Sequence, residues 1–317
     1  ALLAKEWLRQ GHEVRVVTHT KEPLATSEVM VLRRPSPKQL LATCQWCDVL
    51  FQNNLSVRFL WPALLLRKPI VATYHIWVGG TSAIKRLFKR HIGRSATINL
   101  AVSRFLASKL PFDTRIMPNP YSHHVFGAES PGGSRKKESV LFVGRLVRSK
   151  GCHVLIDALF ELRKRAISPR VTIVGDGPEK QSLVGQVSDL KLSEQVRFVG
   201  GMSEAEVADT MRNHDVVVVP SVWEEPFGLV ALEAAACGCE VVASSIGGLP
   251  EAMGPMGRGF AVGNSSALAD ELALALTGPP VDEITALSAE KHLLAHRADV
   301  VAAQYLQVFR EAIEKRN

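Results

Sequence analysis

Short β-branched runs alternate with helix-patterned stretches along this chain, and that alternation leaves few folds open. In the second half, Val140–Val143, Val171–Val174, Val196–Val199, Val216–Val219 and Glu240–Ala243 read as strands. Helices are expected from Cys152, Glu179, Glu204 and Phe227 between them. An uninterrupted valine run such as Val216–Val219 marks a strand buried on both faces, hence a parallel sheet covered by helices. The first half shows the same pattern less cleanly. A helical run is stopped by Gly11 and followed by the strand-like Val14–His19. Strands are expected at Asp48–Phe51, Pro69–Thr73 and Thr97–Val102, with helices near Val57–Leu66 and Ser82–His91 and another from Ser103. The fold class is therefore α/β, with two doubly wound parallel sheets. Pro118–Lys137, rich in turn formers and charge, reads as the linker. The expected domains are 1–118, 119–297 and a last helix, 298–317, returning to the first domain.

With 317 residues, 46% of them hydrophobic and 22% charged, the chain can build two cores and is too apolar for a disordered protein. Its most apolar stretch, Phe59–Val71, is interrupted by Pro62, Arg67 and Lys68, which argues against a membrane-spanning helix. The net charge of +7 hides a split: up to Val125 there are 18 Lys and Arg against 6 Asp and Glu, and thereafter 20 against 25. No acidic residue lies between Asp48 and Asp113. A basic face of this kind seeks an anion: nucleic acid, anionic lipid or a phosphorylated substrate. Five cysteines and no hydrophobic leader argue for a reducing, cytoplasmic compartment. Cys44 and Cys47 have redox or half-zinc-site spacing, but buried, reduced thiols are the expected state.

Chemistry should sit at the carboxyl ends of the second-half strands, where doubly wound sheets bind ligands. Gly144–Gly151, GRLVRSKG, places Arg145 and Lys150 beside glycines just after a strand, which suits a diphosphate. The alternative is a solvated basic turn. In Pro220–Gly238, Pro226 occupies an expected first helical position, so the amides of Phe227, Gly228 and Leu229 should be open donors at a positive helix end. Glu225 precedes that helix and Glu233 lies two turns inside it, a spacing that lets two carboxylates meet sugar hydroxyls at two points of one ligand. Gly175–Glu179, GDGPE, is a poor dinucleotide fingerprint and reads as a tight turn, whereas Gly247–Glu251, GGLPE, could add backbone donors to the same site.

Together GRLVRSKG, GDGPE, VRFVGGM, the Glu225–Glu233 pair, the AAACG after it and GGLPE resemble, in order and spacing, the family 4 retaining glycosyltransferases of the GT-B fold. The resemblance covers nearly the whole chain and is strongest from Val140 to Asp270. It implies two Rossmann-like domains facing across a cleft, and transfer of a sugar from a nucleoside-diphosphate-sugar to a hydroxyl acceptor, such as a lipid-linked or membrane-surface glycan. It further implies that Arg145 and Lys150 hold the leaving diphosphate, that Val199 and Gly200 meet the base, and that Glu233 binds the ribose. Glu225 would contact the donor sugar, and His75, in TYHIW, would lie near that sugar. Pro118 and Asn119 resemble the family's hinge, with Pro120 in place of a glycine; domain closure is expected there. The chain has no Asp-x-Asp pair, so neither a metal nor another cofactor is expected; the nucleotide-sugar is a co-substrate.

By the same resemblance a first strand and its glycine-rich loop should precede Ala1, and the doubly wound order puts that strand at the sheet centre. The helix near Ser82–His91 carries Lys85, Arg86, Lys89 and Arg90 away from Ile84, Leu87, Phe88 and Ile92, as interfacial helices do, which suggests an anionic membrane surface as partner and a peripheral position at the inner face of the plasma membrane. Three other readings stand beside the transferase: a basic nucleic-acid-binding protein, a non-catalytic nucleotide-sugar-binding fragment and a nicotinamide oxidoreductase. The first explains the charge and leaves Glu225 and Glu233 without a purpose. The last is weakened by the missing fingerprint.

Overall fold

The computed structural model describes residues 2–20, 28–77, 91, 93–127, 139–279 and 282–316. Lys85, Arg86, Lys89, Arg90 and most of the helix expected around them lie outside the described residues, as does part of the expected linker. The chain divides into two compact units, Ala1–Pro120 with Ala295–Asn317, and Tyr121–Leu294.

Unit 1 contains α1 (Leu2–Arg9), β1 (Arg15–Thr18), β2 (Met30–Arg33), α2 (Pro37–Trp46), β3 (Leu50–Asn53), α3 (Val57–Leu65), β4 (Ile70–Tyr74), β5 (Ile98–Ala101), α4 (Arg104–Lys109) and β6 (Arg115–Ile116). Every strand pairing is parallel. The strands form two sheets, β1-β2 and β3-β4-β5-β6. Among the described residues, β1 and β3 each have one strand partner and are not bonded to each other. The chain's last helix also packs in this unit. Its apolar face, with Val301, Tyr305 and Phe309, joins Trp7, Val71, Ile98 and Leu100 in one core. Two polar contacts set its register: Trp7 Nε1 donates to the Ala302 carbonyl at 3.1 Å, and the hydroxyls of Tyr305 and Thr73 lie 2.9 Å apart.

Unit 2 opens with the short α5 (His123–Phe126) and then alternates regularly: β7 (Ser139–Val143), α6 (Cys152–Lys164), β8 (Arg170–Val174), α7 (Lys180–Asp189), β9 (Val196–Gly200), α8 (Glu204–Arg212), β10 (Val216–Val219), α9 (Leu229–Ala236), β11 (Glu240–Ser244), α10 (Leu249–Met253), β12 (Arg258–Phe260), α11 (Ser265–Thr277) and α12 (Glu283–Ala295). Its strands form one parallel sheet in the order β12-β11-β10-β7-β8-β9. All four valines of β10 are buried, as a central strand covered on both faces requires. Leu155, Ile156, Leu159 and Leu162 of α6 pack with Leu268 and Leu272 of α11 and with the sheet. The final helix of the chain is α13 (Ala298–Glu314).

Candidate active site

The topology of unit 2 fixes where a ligand can be held. From β7 the chain steps outward through β8 to β9, then returns to lay β10 on the other side of β7. Loops leaving β7 and β10 therefore diverge, and the space between them is the switch point of the sheet. Lys150 and Glu225 stand on these two loops.

Glycine lets the loops touch. Gly151 is left-handed, with φ 71°, and a Cβ there would lie 1.7 Å from the Pro220 carbonyl oxygen. The Val222 amide donates to the Ser149 carbonyl at 2.9 Å, tying the short 3₁₀ turn Arg148–Lys150 to the loop after β10. Lys150 Nζ lies 2.8 Å from Glu225 Oε1, and the Ser221 hydroxyl donates to the same oxygen. The Glu225 side chain is 9% exposed, so this pair is held in a weakly screened environment. An ammonium carries three protons. One is directed at Glu225, leaving capacity for an anion. Arg145, five residues earlier on the same loop, is exposed, and its guanidinium makes no hydrogen bond or ion pair among the described residues.

The helix after Glu225 departs from expectation. It starts at Leu229, with Gly228 as N-cap at φ 113°, and not at Phe227. Pro226 could have begun a helix, but the left-handed glycine interrupts it. Phe227 is instead a buried side chain in the entry to the helix, 3% exposed. Among the described residues, the open helix-end amides accordingly belong to Leu229 and Val230, since the Ala231 amide already donates to the Gly228 carbonyl at 3.0 Å.

Glu233 follows Leu229 by one helical turn and so shares its face, with its side chain tilted back toward the helix start. Burial, reinforced by Glu204, raises its pKa to about 7. A carboxyl that is half neutral near pH 7 can donate as well as accept a hydrogen bond.

Val199 and Gly200 end β9. Pairing with β8 shifts register here, from Ile173 opposite Phe198 to Val174 opposite Gly200, so Val199 is the extra residue of a β-bulge. The Gly200 carbonyl is already used by the Gly175 amide at 2.7 Å, which leaves the Val199 backbone as the freer of the two.

The turn after β8 is structural. A Cβ on Gly175 would lie 1.9 Å from the Gly144 carbonyl oxygen and one on Gly177 2.4 Å from that of Leu146, so GDG lets this turn pack under the Arg145 loop. GGLPE is also used differently from expectation. The Gly248 amide donates to the Glu225 carbonyl at 2.7 Å, so this donor fixes the Glu225 backbone and is unavailable to a ligand.

His75 lies in unit 1, just beyond β4. Its amide donates to Asn54 Oδ1 at 2.9 Å, and burial lowers the pKa of its ring, which favours the neutral imidazole at pH 7. Ser221 was not singled out from the sequence, because a serine four residues before a glutamate in a loop carries no pattern. Among the described residues no group of three His, Cys, Asp or Glu side chains could hold a metal ion. All five cysteines are free, with Cys47 half-buried and the others buried.

The chain is an α/β protein whose second unit presents a doubly wound ligand edge. Comparison with known proteins narrows that class. The profile of the family described as Glycosyl transferases group 1 matches residues 129–292. A phosphatidyl-myo-inositol mannosyltransferase of Mycobacterium leprae is 31% identical over 277 residues, covering 82% of this chain and 72% of the relative. This protein belongs to the glycosyl transferases group 1 family. Among solved structures, a glycosyltransferase from Rickettsia africae superposes with a TM-score of 0.80 at 16% identity, covering 98% of this chain and 93% of that one. HepE from Anabaena, in complex with UDP, superposes at 0.76 and 19% identity over 98% of this chain and 94% of its own. The fold is GT-B.

Proposed function

We propose that this protein transfers a hexose from a nucleoside-diphosphate-sugar to a hydroxyl acceptor, with retention at the anomeric carbon and without a metal. The meeting of Lys150 with Glu225 at the switch point of unit 2 is the observation that carries the reading. Phosphate oxygens of the donor would be taken by Lys150, Arg145 and the open amides of Leu229 and Val230 at the start of α9. Glu233 would bind the ribose, and the bulged backbone at Val199, with Gly200, would meet the base. One structural neighbour, HepE, is described in complex with UDP, which supports a nucleotide as ligand.

In the transfer, the bond between the anomeric carbon and the diphosphate oxygen breaks with its electron pair on the diphosphate. The acceptor oxygen forms the new bond and gives up its proton to the departing diphosphate oxygen, which has just gained the electron pair. Charge that develops on the leaving group is met by cations and amides already in place, which in enzymes of this kind is commonly the largest catalytic contribution. Glu225, fixed by Ser221, Lys150 and the Gly248 amide, would orient the sugar through its hydroxyls. The mannosyltransferase relative acts on phosphatidyl-myo-inositol by its name, which favours a lipid-linked acceptor. His75 is proposed to contact the donor sugar on the strength of the family resemblance; every other residue proposed for the donor belongs to unit 2.

Lys150→Ala tests the reading. Turnover with a nucleotide-sugar is expected to fall on the order of a hundred- to a thousandfold, with a smaller change in donor KM. An unchanged kcat removes Lys150 from the site. Activity unaffected by a chelator is expected alongside; loss of activity that returns with a divalent ion would refute the metal-free scheme.

A further inference from the structure

Helix α3 is apolar on the side it buries and also on the side it shows. Leu60 and Ala63 are buried with Ile70 in a small cluster beneath it, as a surface helix requires. On the opposite side Val57, Trp61, Leu64 and Leu65 recur at i, i+4, i+7 and i+8, which is one helical face. They are exposed at 50%, 39%, 42% and 67%. A helix bordered by water normally places polar residues there; in α3 the sole polar side chain is Arg58. Exposed apolar surface gathered in this way marks an interaction site.

Charge around the stripe has one dominant sign. Arg58 is exposed on the same helix, one position after Val57 and so to one side of the stripe, and Arg67 is exposed just past the helix end. Arg316, beyond α13, donates Nε to the Arg67 carbonyl at 3.0 Å and so brings another exposed guanidinium to the same end. Lys68 is engaged elsewhere, its ammonium bonded to the Gln45 and Cys47 carbonyls at 3.1 and 2.7 Å. Of the acidic residues on the last turn of α13, Glu311 is paired with Arg115, and Glu314 is exposed. From Val49 to Phe112 the sequence has no acid at all.

We infer that α3 docks on an anionic lipid bilayer, with Val57, Trp61, Leu64 and Leu65 entering the boundary between headgroups and acyl chains. Arg58, Arg67 and Arg316 then meet lipid phosphates. Tryptophan suits that boundary, since its ring is apolar and its N–H can stay wet. Arginine can lay its methylenes along the apolar surface while its fork binds phosphate. Four side chains on about 12 Å of helix fall well short of the roughly 800 Å² per partner that a stable protein pair buries. An interfacial helix needs only a shallow apolar face with cations beside it. These residues differ from the cationic set at Lys85–Arg90, and they lie in unit 1, apart from the proposed donor-binding residues of unit 2. Vesicle binding and nucleotide binding can therefore fail separately.

The test is co-sedimentation of the full chain with phosphatidylcholine vesicles, with and without phosphatidylglycerol. The wild type should sediment with the anionic vesicles and be released by salt. Trp61→Ala with Leu65→Gln, and separately Arg58→Glu with Arg67→Glu, should each lower the partition coefficient about tenfold. All four positions are exposed, so Tm and nucleoside-diphosphate binding should stay at the wild-type values; should the first pair lower Tm, Leu64→Gln replaces it. Equal binding by wild type and variants, or no binding by the wild type, overturns the inference. So does a wild-type dimer that the apolar variant dissociates while neither protein binds vesicles, because a second copy would then own the stripe.

Discussion

Replacing Glu233 by Gln should make this protein more stable and at the same time a poorer nucleotide binder. In the folded chain burial, and then Glu204, hold the Glu233 pKa at about 7, against an ordinary value of 4.5. Between those values the folded protein keeps a proton that the unfolded chain has released, so stability falls as pH rises through this window and the loss is complete above about pH 7. At about 1.4 kcal/mol per pKa unit, the cost of ionising Glu233 in place reaches at most about 3–4 kcal/mol. Glutamine keeps the shape and cannot ionise. Glu233→Gln should therefore leave stability unchanged at about pH 4.5 and raise it toward that figure at about pH 8. For a domain of this size the gain corresponds to about 2–4 °C of Tm per kcal/mol. Ribose hydroxyls donate to a carboxylate more strongly than to an amide, so nucleoside-diphosphate affinity should drop about tenfold in the same variant. Urea and thermal melts across that pH range, with calorimetric titration of nucleotide at the upper end, read both effects. A stability gain of the same size at every pH would refute burial as the cause, and unchanged affinity would remove Glu233 from the nucleotide.

Other substitutions probe how Glu225 is held. Ser221→Ala deletes a hydrogen bond to a buried carboxylate and should cost about 1.5–3 kcal/mol in urea denaturation at neutral pH; a smaller loss would mean that Lys150 alone suffices to fix Glu225. Gly247→Ala places a Cβ 2.4 Å from the Glu225 carbonyl oxygen at a φ of 62°. It should lower activity as well as Tm, because the Glu225 backbone must move to make room. Full activity in that variant would show that Glu225 tolerates displacement.

Legibility of the sequence followed burial. Val216–Val219 is the strand the valine run announces, and Val140–Val143 differs from β7 only by Ser139. Both are central strands, whose residues answer to one environment. Edge strands carry weaker patterns. β12, Arg258–Phe260, and β6, Arg115–Ile116, are too short to alternate and do not stand out. Helix α2 was not expected, although the sequence carries a start signal that periodicity passes over: Ser36 and Gln39 form a reciprocal capping box with Pro37 at the helix start. In the candidate site, residue types legible from motif spacing were Arg145, Lys150, Glu225 and Glu233. Where α9 begins was not, because Pro226 favours helix and only the backbone at Gly228 reveals the left-handed break. The pairing of Lys150 with Glu225 was also hidden, since the two lie 75 residues apart in sequence and meet only because Gly151 lets their loops come together, a contact that no local pattern encodes.

Calorimetric titration with uridine, guanosine and adenosine diphosphates, each beside its parent nucleoside, tests the diphosphate site most directly. At least one diphosphate should bind, more tightly than its nucleoside, with salt-sensitive affinity, and about tenfold more weakly to Lys150→Ala and to Arg145→Ala. Equal affinity for nucleoside and diphosphate, or wild-type affinity in both variants, would contradict the placement of the pyrophosphate between the loops of β7 and β10.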